Sequence, residues 1–343
     1  MKTNYTKEQK ETLKLVGILS VCVFVLLVLS IVFMNNLSVP TSTPTPKYID
    51  IDNIEGMNLK DAKALLENAD ISYEIIPTES KIANKVEKIE FVGVTLSDTG
   101  RLRIKIGTTV KIYGNDVSKD KVIYLTFDDG PIVNYTHSME IYNTTGDLLD
   151  ILDEYGVKAT FFITGYQMIK SDRSEYVLDI INRGHILACH SSTHALENIY
   201  ASKSNFVSDI KRYENELINI IGEEKYNSLG KYLRFPGGTN NAYIKTDAEA
   251  LEYINAAREL GYAVYDWTAL TGDAEGNDNA QSFIATLKSG LAKAKNNDLD
   301  LIVLMHDKYS TKEALPQILD FLISEGYYFD TIDNCPEYTF IEN

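Results

Sequence analysis

From residue 120 onward, short apolar runs alternate with helical patterns, and no other feature of the chain restricts its fold as much. "KVIYLTF", "ATFFIT", "HILAC", "YLRF", "AVYDW" and "LIVLMH" have the length and the β-branched and aromatic content of strands. Between them, "TGDLLDILDEYG", "SEYVLDIINRG", "NFVSDIKRYENELINIIG" and "DAEALEYINAARELG" carry apolar residues at helical spacing. Such alternation builds βαβ units, because a parallel neighbour needs a long crossover. Six or seven units predict an α/β domain over 120–335, a distorted (β/α) barrel rather than a small open sheet. In a parallel barrel the functional residues sit at the C-terminal ends of strands.

The polar residues fall at those ends. Asp128 and Asp129 close the first run, in "TFDDGP". His190 closes "HILAC" and begins "HSSTH", which ends in His194. Arg234 lies in "YLRFPGG", Asp266 and Trp267 close "AVYDW", and His306 closes "LIVLMH". The chain has five histidines, at 137, 185, 190, 194 and 306, and three belong to this set. Taken singly, Asp-Gly-Pro is a turn signal and H-x-x-x-H is commonly chance. Taken together, two imidazoles and a carboxylate suit Zn²⁺ with an open position, or iron(II). Of the two aspartates, one can bind the metal and the other can take a proton from water. An arginine beside that base keeps it ionised. A histidine opposite can protonate a leaving group, with a carboxylate fixing its tautomer.

Five motifs in this order resemble the polysaccharide deacetylase (NodB-type) domain of carbohydrate esterase family four. They are "TFDDG", "HSSTH", "RFPGG", "DW" at 266–267 and "LMH" at 304–306. "VKATFFITG" and "TKEALPQILDFLISEGYYF" look like the same family, so the resemblance spans residues 120–333. It implies metal-dependent removal of acetyl from N-acetyl sugars. By motif position it implies Asp128 as catalytic base, paired with Arg234, and Asp129, His190 and His194 as ligands of a divalent metal, Zn²⁺. It further implies His306 as general acid, tuned by Asp266, with Trp267 and Leu304 lining an acetyl pocket and the Gly237 N–H facing the oxyanion. Two positions depart from the family pattern: Gly237 stands where an aromatic often follows the proline, and Ala263 opens the fourth motif. The segment "IVNYTHSMEIYNTTGD" is longer than usual, and its His137 reads as a solvated loop residue. His185 has no motif role, and Cys189 reads as a small buried residue.

The remaining sequence bears on compartment. With 343 residues, 44% hydrophobic and 24% charged, the chain suits two globular domains. A net charge of −16 argues against nucleic acid as a partner. Three cysteines, one of them Cys22 in an apolar run, leave Cys189 and Cys335, which is neither a disulfide framework nor a zinc finger. Residues 15–34, "LVGILSVCVFVLLVLSIVFM", are uncharged and as a helix span about 30 Å, enough to cross a bilayer core. No A-x-A-like cleavage site follows, so the run reads as an uncleaved transmembrane anchor. Lys2, Lys7, Lys10 and Lys14 precede it, which places residues 1–14 in the cytoplasm and the rest outside. Residues 35–47 form a Ser/Thr/Pro-rich linker.

Residues 48–115 predict a small α+β module. Asn58 caps a helix whose Leu59, Ala62, Leu66 and Ala69 share a face, and "ISYEIIP", "VEKIEF" and "TVKIYG" read as strands of an antiparallel sheet. The module resembles a PASTA repeat without the usual opening Val-Pro, which implies either a wall-binding unit or a spacer. The whole reads as a membrane-anchored, outward-facing deacetylase of an N-acetylated wall glycan, with peptidoglycan N-acetylglucosamine or N-acetylmuramic acid as the expected sugar. The rivals are an O-acetyl esterase of a xylan-type polysaccharide and a wall-binding or sensor protein with an inactive barrel. The intact Asp128, Asp129, His190, His194 and His306 argue against the inactive barrel.

Overall fold

Side chains alternate between two faces along each strand of this protein, and that alternation decides which of them reach the site. A computed structural model describes residues 11–12, 14, 16, 48–135, 141–276 and 279–342. Eight strands form one sheet: β1 (Val122–Asp128), β2 (Thr160–Thr164), β3 (Ile186–Ser191), β4 (Tyr232–Leu233), β5 (Ala263–Val264), β6 (Ala269–Leu270), β7 (Leu301–His306) and β8 (Tyr328–Asp330). Their order is β5-β4-β3-β2-β1-β7-β6, with β8 also on β1, and the pairs are parallel. Helices α1 (Thr144–Glu154), α2 (Ser174–Asn182), α3 (Lys203–Ile221), α4 (Asp247–Glu259), α5 (Ala280–Asn296) and α6 (Tyr309–Ser324) connect the strands. Side chains of Asn143, Ser202, Thr246 and Asn279 cap four of them by accepting amides of the first turn.

The sheet curls into a barrel that stays open between β5 and β6. Only Tyr265–Thr268 separate these two strands, and a parallel pair needs a crossover of about a dozen residues or more. They therefore cannot be neighbours. The C-terminal segment lies along the edge of β5 instead: Tyr265 forms a bridge with Tyr338, and the Asp266 amide donates to the Tyr338 carbonyl at 2.8 Å.

On β1, Ile123, Leu125 and Phe127 join the outer apolar layer, together with Leu187 and Cys189 of β3 and Leu301, Val303 and Met305 of β7. The opposite parity, Val122 and Tyr124 of β1, Phe162 of β2, Ala188 of β3 and Ile302 of β7, fills the barrel interior. Continuing each inward set upward reaches Thr126 and Asp128 on β1, His190 on β3, and Leu304 and His306 on β7. Cys189 is buried on the outer side with a free thiol, as its small apolar character predicts.

The chain divides into two units, 1–49 and 50–343. Within the second unit, the helix Leu59–Asn68 buries Leu59, Ala62 and Leu66, and Asn58 caps it. The strand Val110–Tyr113 pairs in parallel with Tyr73–Ile76 and antiparallel with Lys88–Ile89. The sheet is thus mixed, not antiparallel as expected, because the long excursion over 77–109 lets the chain return in the same direction. This module adds an extended segment beside β8: the Ala83 amide donates to Phe329 O at 2.9 Å, and the Phe329 amide donates to Lys81 O at 2.8 Å. Ala83 is fully buried with Val122, Tyr124 and Ile332 at the N-terminal end of the barrel.

No helix among the described residues is long and apolar enough to cross a membrane. The 15–34 run, Val16 apart, lies outside the described residues, as do the 35–47 linker and His137.

Candidate active site

Asp128 ends β1 on the inward face and is buried, and Arg234 reaches it from just beyond β4. Arg234 is itself fully buried, which its charge tolerates because each of its three nitrogens is hydrogen-bonded. Nη1 donates to Asp128 Oδ1 at 2.8 Å and to Thr126 Oγ1 at 2.6 Å. Nε donates to Tyr265 O at 3.1 Å and Nη2 to Asp266 O at 3.1 Å. The guanidinium lies 4.2 Å from the centre of the Phe162 ring. One oxygen of Asp128 is held by the arginine while the other lies 3.7 Å from His190 Nε2.

Asp129 departs from the strand parity. Its φ of 74° turns its side chain to the neighbouring loop, a backbone conformation that costs a non-glycine residue energy. Ser191 and His194 also have positive φ, 146° and 53°. "HSSTH" therefore starts on β3 with His190 and Ser191 and runs into a loop that ends at His194. The loop is held from α3: the Asp209 carboxylate accepts the amides of Ser192 (2.7 Å) and Thr193 (3.2 Å) and the Thr193 hydroxyl (2.6 Å). His190 Nδ1–H donates to Arg234 O at 2.9 Å, which leaves its Nε2 lone pair facing Asp129.

Asp129 Oδ1 lies 3.5 Å from His190 Nε2 and 3.3 Å from His194 Nε2. Donors about 2.0–2.1 Å from one tetrahedral ion stand about 3.3–3.4 Å apart. The three ligand atoms lie within 4.8 Å of one another, and Asp129 Oδ1 is buried without a hydrogen-bond partner. These residues fit a divalent metal with positions left open. Burial and the adjacent His190 lower the pKa of His194, which favours the neutral imidazole that a metal requires.

His306 ends β7 directly beside Asp128 in register. Its Nδ1–H donates to Asp273 Oδ1 at 2.8 Å, and its amide donates to Asp273 Oδ2 at 2.7 Å. Burial disfavours the imidazolium, yet the bond to Asp273 and the charges of Asp128, Asp273 and Asp129 outweigh it and raise the pKa. The carboxylate on His306 is thus Asp273, not Asp266 as the motif order implied. Asp266 is fully buried and accepts the Thr239 amide (2.9 Å), the Thr239 hydroxyl and the Phe340 amide (2.7 Å). It ties the "PGGT" loop to the C-terminal segment. β5 ends at Val264, and the chain diverts at the open seam, which carries Asp266 away from His306.

Gly237 and Gly238 both have positive φ. A Cβ on Gly238 would come within 3.1 Å of Trp267 and Asp266 and 3.0 Å of Phe340, so this turn requires glycine. Trp267 packs edge-on against Phe340. Leu304, nearly buried, lies one inward step below His306 and pairs with Thr126 and Leu270. A cavity of about 420 Å³ lies at the open seam rather than over the metal cluster, between Trp267, Tyr338, Phe340 and α5.

Sequence reasoning missed Asp209, Asp273 and Asp307. Asp307 is buried, and burial pushes its pKa up to about 7. Its amide donates to Asp128 O at 2.9 Å, and its Oδ2 accepts the Thr145 hydroxyl at 2.6 Å. A Cβ at Gly130 would meet that oxygen at 2.6 Å, which explains the glycine of "TFDDG". His185 stands apart from the site, where burial pushes its pKa down to about 3 and Nδ1 accepts the Ala159 amide.

Base, acid and a three-ligand cluster at one rim of a parallel barrel define a hydrolase. The family model described as polysaccharide deacetylase matches residues 115–256. A peptidoglycan-N-acetylglucosamine deacetylase of Bacillus cereus is 31% identical over 231 residues, covering 64% of this chain and 91% of that protein. A bifunctional xylanase/deacetylase of Pseudobutyrivibrio xylanivorans is 31% identical over 222 residues, 64% of this chain and 31% of that protein. The catalytic domain of a peptidoglycan N-acetylglucosamine deacetylase from Eubacterium rectale matches with a TM-score of 0.52 at 28% identity, covering 65% of this chain and 94% of that one. The chain belongs to the polysaccharide deacetylase family, carbohydrate esterase family four, and is a deacetylase.

Proposed function

We propose that this deacetylase removes acetyl from the nitrogen of an N-acetylated wall glycan, with peptidoglycan as the substrate and Zn²⁺ on Asp129, His190 and His194. One observation supports the reading most: His306 and Asp128 stand side by side in register, each with its own fixed partner, next to the three-ligand cluster. When bound, the ion supplies Lewis acidity to the acetyl carbonyl and to the attacking water. Asp128 accepts the proton of that water, and the Arg234 hydrogen bond to Oδ1 fixes the carboxylate's orientation. The Gly237 N–H serves as a donor to the oxyanion, and Leu304, one inward step below His306, borders the acetyl methyl, whereas Trp267 lies at the open seam. His306 delivers its proton from Nε2 to the departing amine while Asp273 holds Nδ1. The C–N bond breaks, and acetate and a free amino sugar leave.

The wall assignment draws on the relatives' substrates, on the 15–34 run as an anchor and on the PASTA-like character of the module. The test uses the full-length chain with zinc supplied, scored by acetate release from N-acetylglucosamine oligomers, purified peptidoglycan and acetylxylan. Release from the first two is expected. No release from any overturns the enzyme reading, and release from acetylxylan alone moves the reaction to O-acetyl esters. Fractionation of cells expressing the chain with and without residues 1–34 tests the anchor, with loss from the membrane fraction expected on truncation.

A further inference from the structure

Between residues 50 and 120, the exposed large hydrophobic side chains are Phe91, Val92, Leu96 and Ile106, and three of them share one end of the small module. Strands Val94–Leu96 and Leu102–Lys105 pair antiparallel, with Val94 opposite Ile104. The Lys105 amide donates to Gly93 O at 2.9 Å, so the register continues past the strands and sets Val92 opposite Ile106. Phe91 precedes Val92 in the same turn. A Cβ on Gly93 would meet Thr108 Oγ1 at 2.5 Å, so the turns at 91–93 and 106–108 pack directly on each other. They form one tip, on which Phe91, Val92 and Ile106 are 48%, 73% and 53% exposed. Val94, Leu102 and Ile104, further along the same strands, are buried, so the apolar exposure belongs to the tip.

The charges around the tip are unevenly matched. Glu90, next to Phe91, is taken by Lys111 at 3.2 Å and accepts the Tyr113 hydroxyl at 3.2 Å. Asp50 and Asp52 are taken by Arg103 (2.9 Å) and Arg101 (3.2 Å). Lys105, exposed beside Ile106, makes no ion pair among the described residues. In a chain of net charge −16, this tip offers apolar side chains and a spare cation.

The same two ion pairs give the direction in which the chain enters. Asp50 beside Arg103 and Asp52 beside Arg101 make the strand that carries Asp50 antiparallel to Leu102–Lys105, so the chain comes in from the Lys105 side, the side of the tip. From the tip, Val110–Tyr113 runs about 13 Å toward Asn115, which pairs with Asn84 at the seat of the barrel. β1 then runs from Val122, packed with Ala83 of the module, to Asp128 at the rim. Tip and catalytic rim are the two ends of that path.

We infer that this tip docks on a lipid bilayer surface, with Phe91, Val92 and Ile106 in the headgroup boundary and Lys105 on lipid phosphate, so that the module carries the barrel with its catalytic rim turned away from the membrane. The inference rests on the reading of residues 15–34 as an anchor. A chain held by that run has only the 13 residues of 35–47 before the module, at most about 45 Å of extended backbone, and it enters on the tip side. Aromatic and aliphatic side chains beside a lysine have the composition of an interfacial contact: the apolar groups enter the boundary and the ammonium reaches the phosphates. A second copy of the chain could cover the same side chains, but the chain's own connectivity brings the bilayer to them.

The test places the full-length chain, carrying Cys22→Ser, in vesicles of phosphatidylcholine and phosphatidylglycerol. Cys189 and Cys335 are buried and stay unlabelled. An environment-sensitive fluorophore is attached at Val92→Cys or, as the reference, at Glu223→Cys, which is exposed on the barrel. Nitroxide-bearing lipids should remove most of the emission at position 92 and none at 223. Phe91→Asp combined with Ile106→Asp should abolish the quenching at 92. Flotation of the chain with the vesicles after an alkaline carbonate wash reads the anchor independently. Flotation without quenching at 92 would overturn the docked tip and leave the anchor standing, whereas no flotation would overturn both. Shielding of the label at 92 that follows protein concentration and not lipid would assign the tip to a second copy and overturn the docking as well.

Discussion

The two ends of the barrel are built from the same strands and handled in opposite ways. At the N-terminal end, Asn115 is buried with its side chain engaged: Nδ2 donates to Thr78 Oγ1 and Ser80 O, and Oδ1 accepts the Thr78 amide. Among the described residues, the non-glycine positions with positive φ there are Asn84 and Asp298, types that tolerate it, and Asn84 Oδ1 accepts the Val117 amide. At the C-terminal end, positive φ falls on Asp129, Ser191 and His194, and Asp129 Oδ1 is buried without a hydrogen-bond partner. Of the six buried side-chain atoms without a hydrogen-bond partner among the described residues, five lie at the end that does chemistry, and only His185 Nε2 lies at the other.

The largest test of that contrast is at the two aspartates. Asp128→Asn removes the base but leaves the ligand cluster, so kcat should fall by about 10²–10⁴-fold with zinc content, read by metal analysis, near one equivalent. Asp129→Ala should lose both metal and turnover. Zinc in Asp129→Ala equal to wild type would overturn the ligand assignment and make the unpaired oxygen a defect rather than a site.

A smaller effect is expected at Asp273. Its bond and charge help hold the His306 pKa above the ordinary imidazole range, despite burial acting against it. A raised pKa keeps the proton to higher pH, so activity that needs His306 protonated is lost as pH rises through that value. Asp273→Asn removes the charge and lowers the pKa. The alkaline limb of the rate profile should move to lower pH, with activity near neutrality reduced about 10–100-fold, the usual cost of losing a supporting partner. The same substitution at Asp266, which touches Thr239 and Phe340 instead, should leave the alkaline limb in place. A shift in Asp266→Asn and none in Asp273→Asn would restore the motif-order assignment.

These two aspartates also mark where the sequence was legible. Asp128, His190 and His306 could be read because each ends an apolar strand on the inward parity, and a strand's parity is local. Arg234 and Asp129 followed from the ordered motifs. Asp273 sits in "TGDAEG", a turn-like stretch with no strand or helix period, and only the packing of that loop on β7 brings it to His306. Asp209 lies within the pattern of α3, where a carboxylate reads as a solvated face, yet it is buried under the histidine loop. The eight-stranded sheet and its open seam exceed the six or seven units read from the sequence because β6, two residues long, reads as a tail of the β5 run, and β8 reads as the end of the α6 stretch. The strand addition by the module was hidden too, since "SKIANK" has no apolar alternation and pairs only because β8 offers an edge.

That last junction gives the smallest predicted effect and the one that separates the ends most cleanly. Asn115→Ala deletes an amide whose partners are buried or half-buried and leaves Thr78 N–H and Ser80 O without it. Unpaired groups of this kind cost about 1–3 kcal/mol, or a few degrees in Tm for a unit of this size. Thermal denaturation of the full-length chain should register that loss. The kcat of the fraction that remains folded should match wild type, because β1 and β7 carry the catalytic residues at their far ends and pair along their length. A fall in kcat comparable with that of Asp273→Asn, at unchanged zinc content, would mean that the module's seat sets the geometry of the rim, and the two ends would then have to be treated as one coupled element.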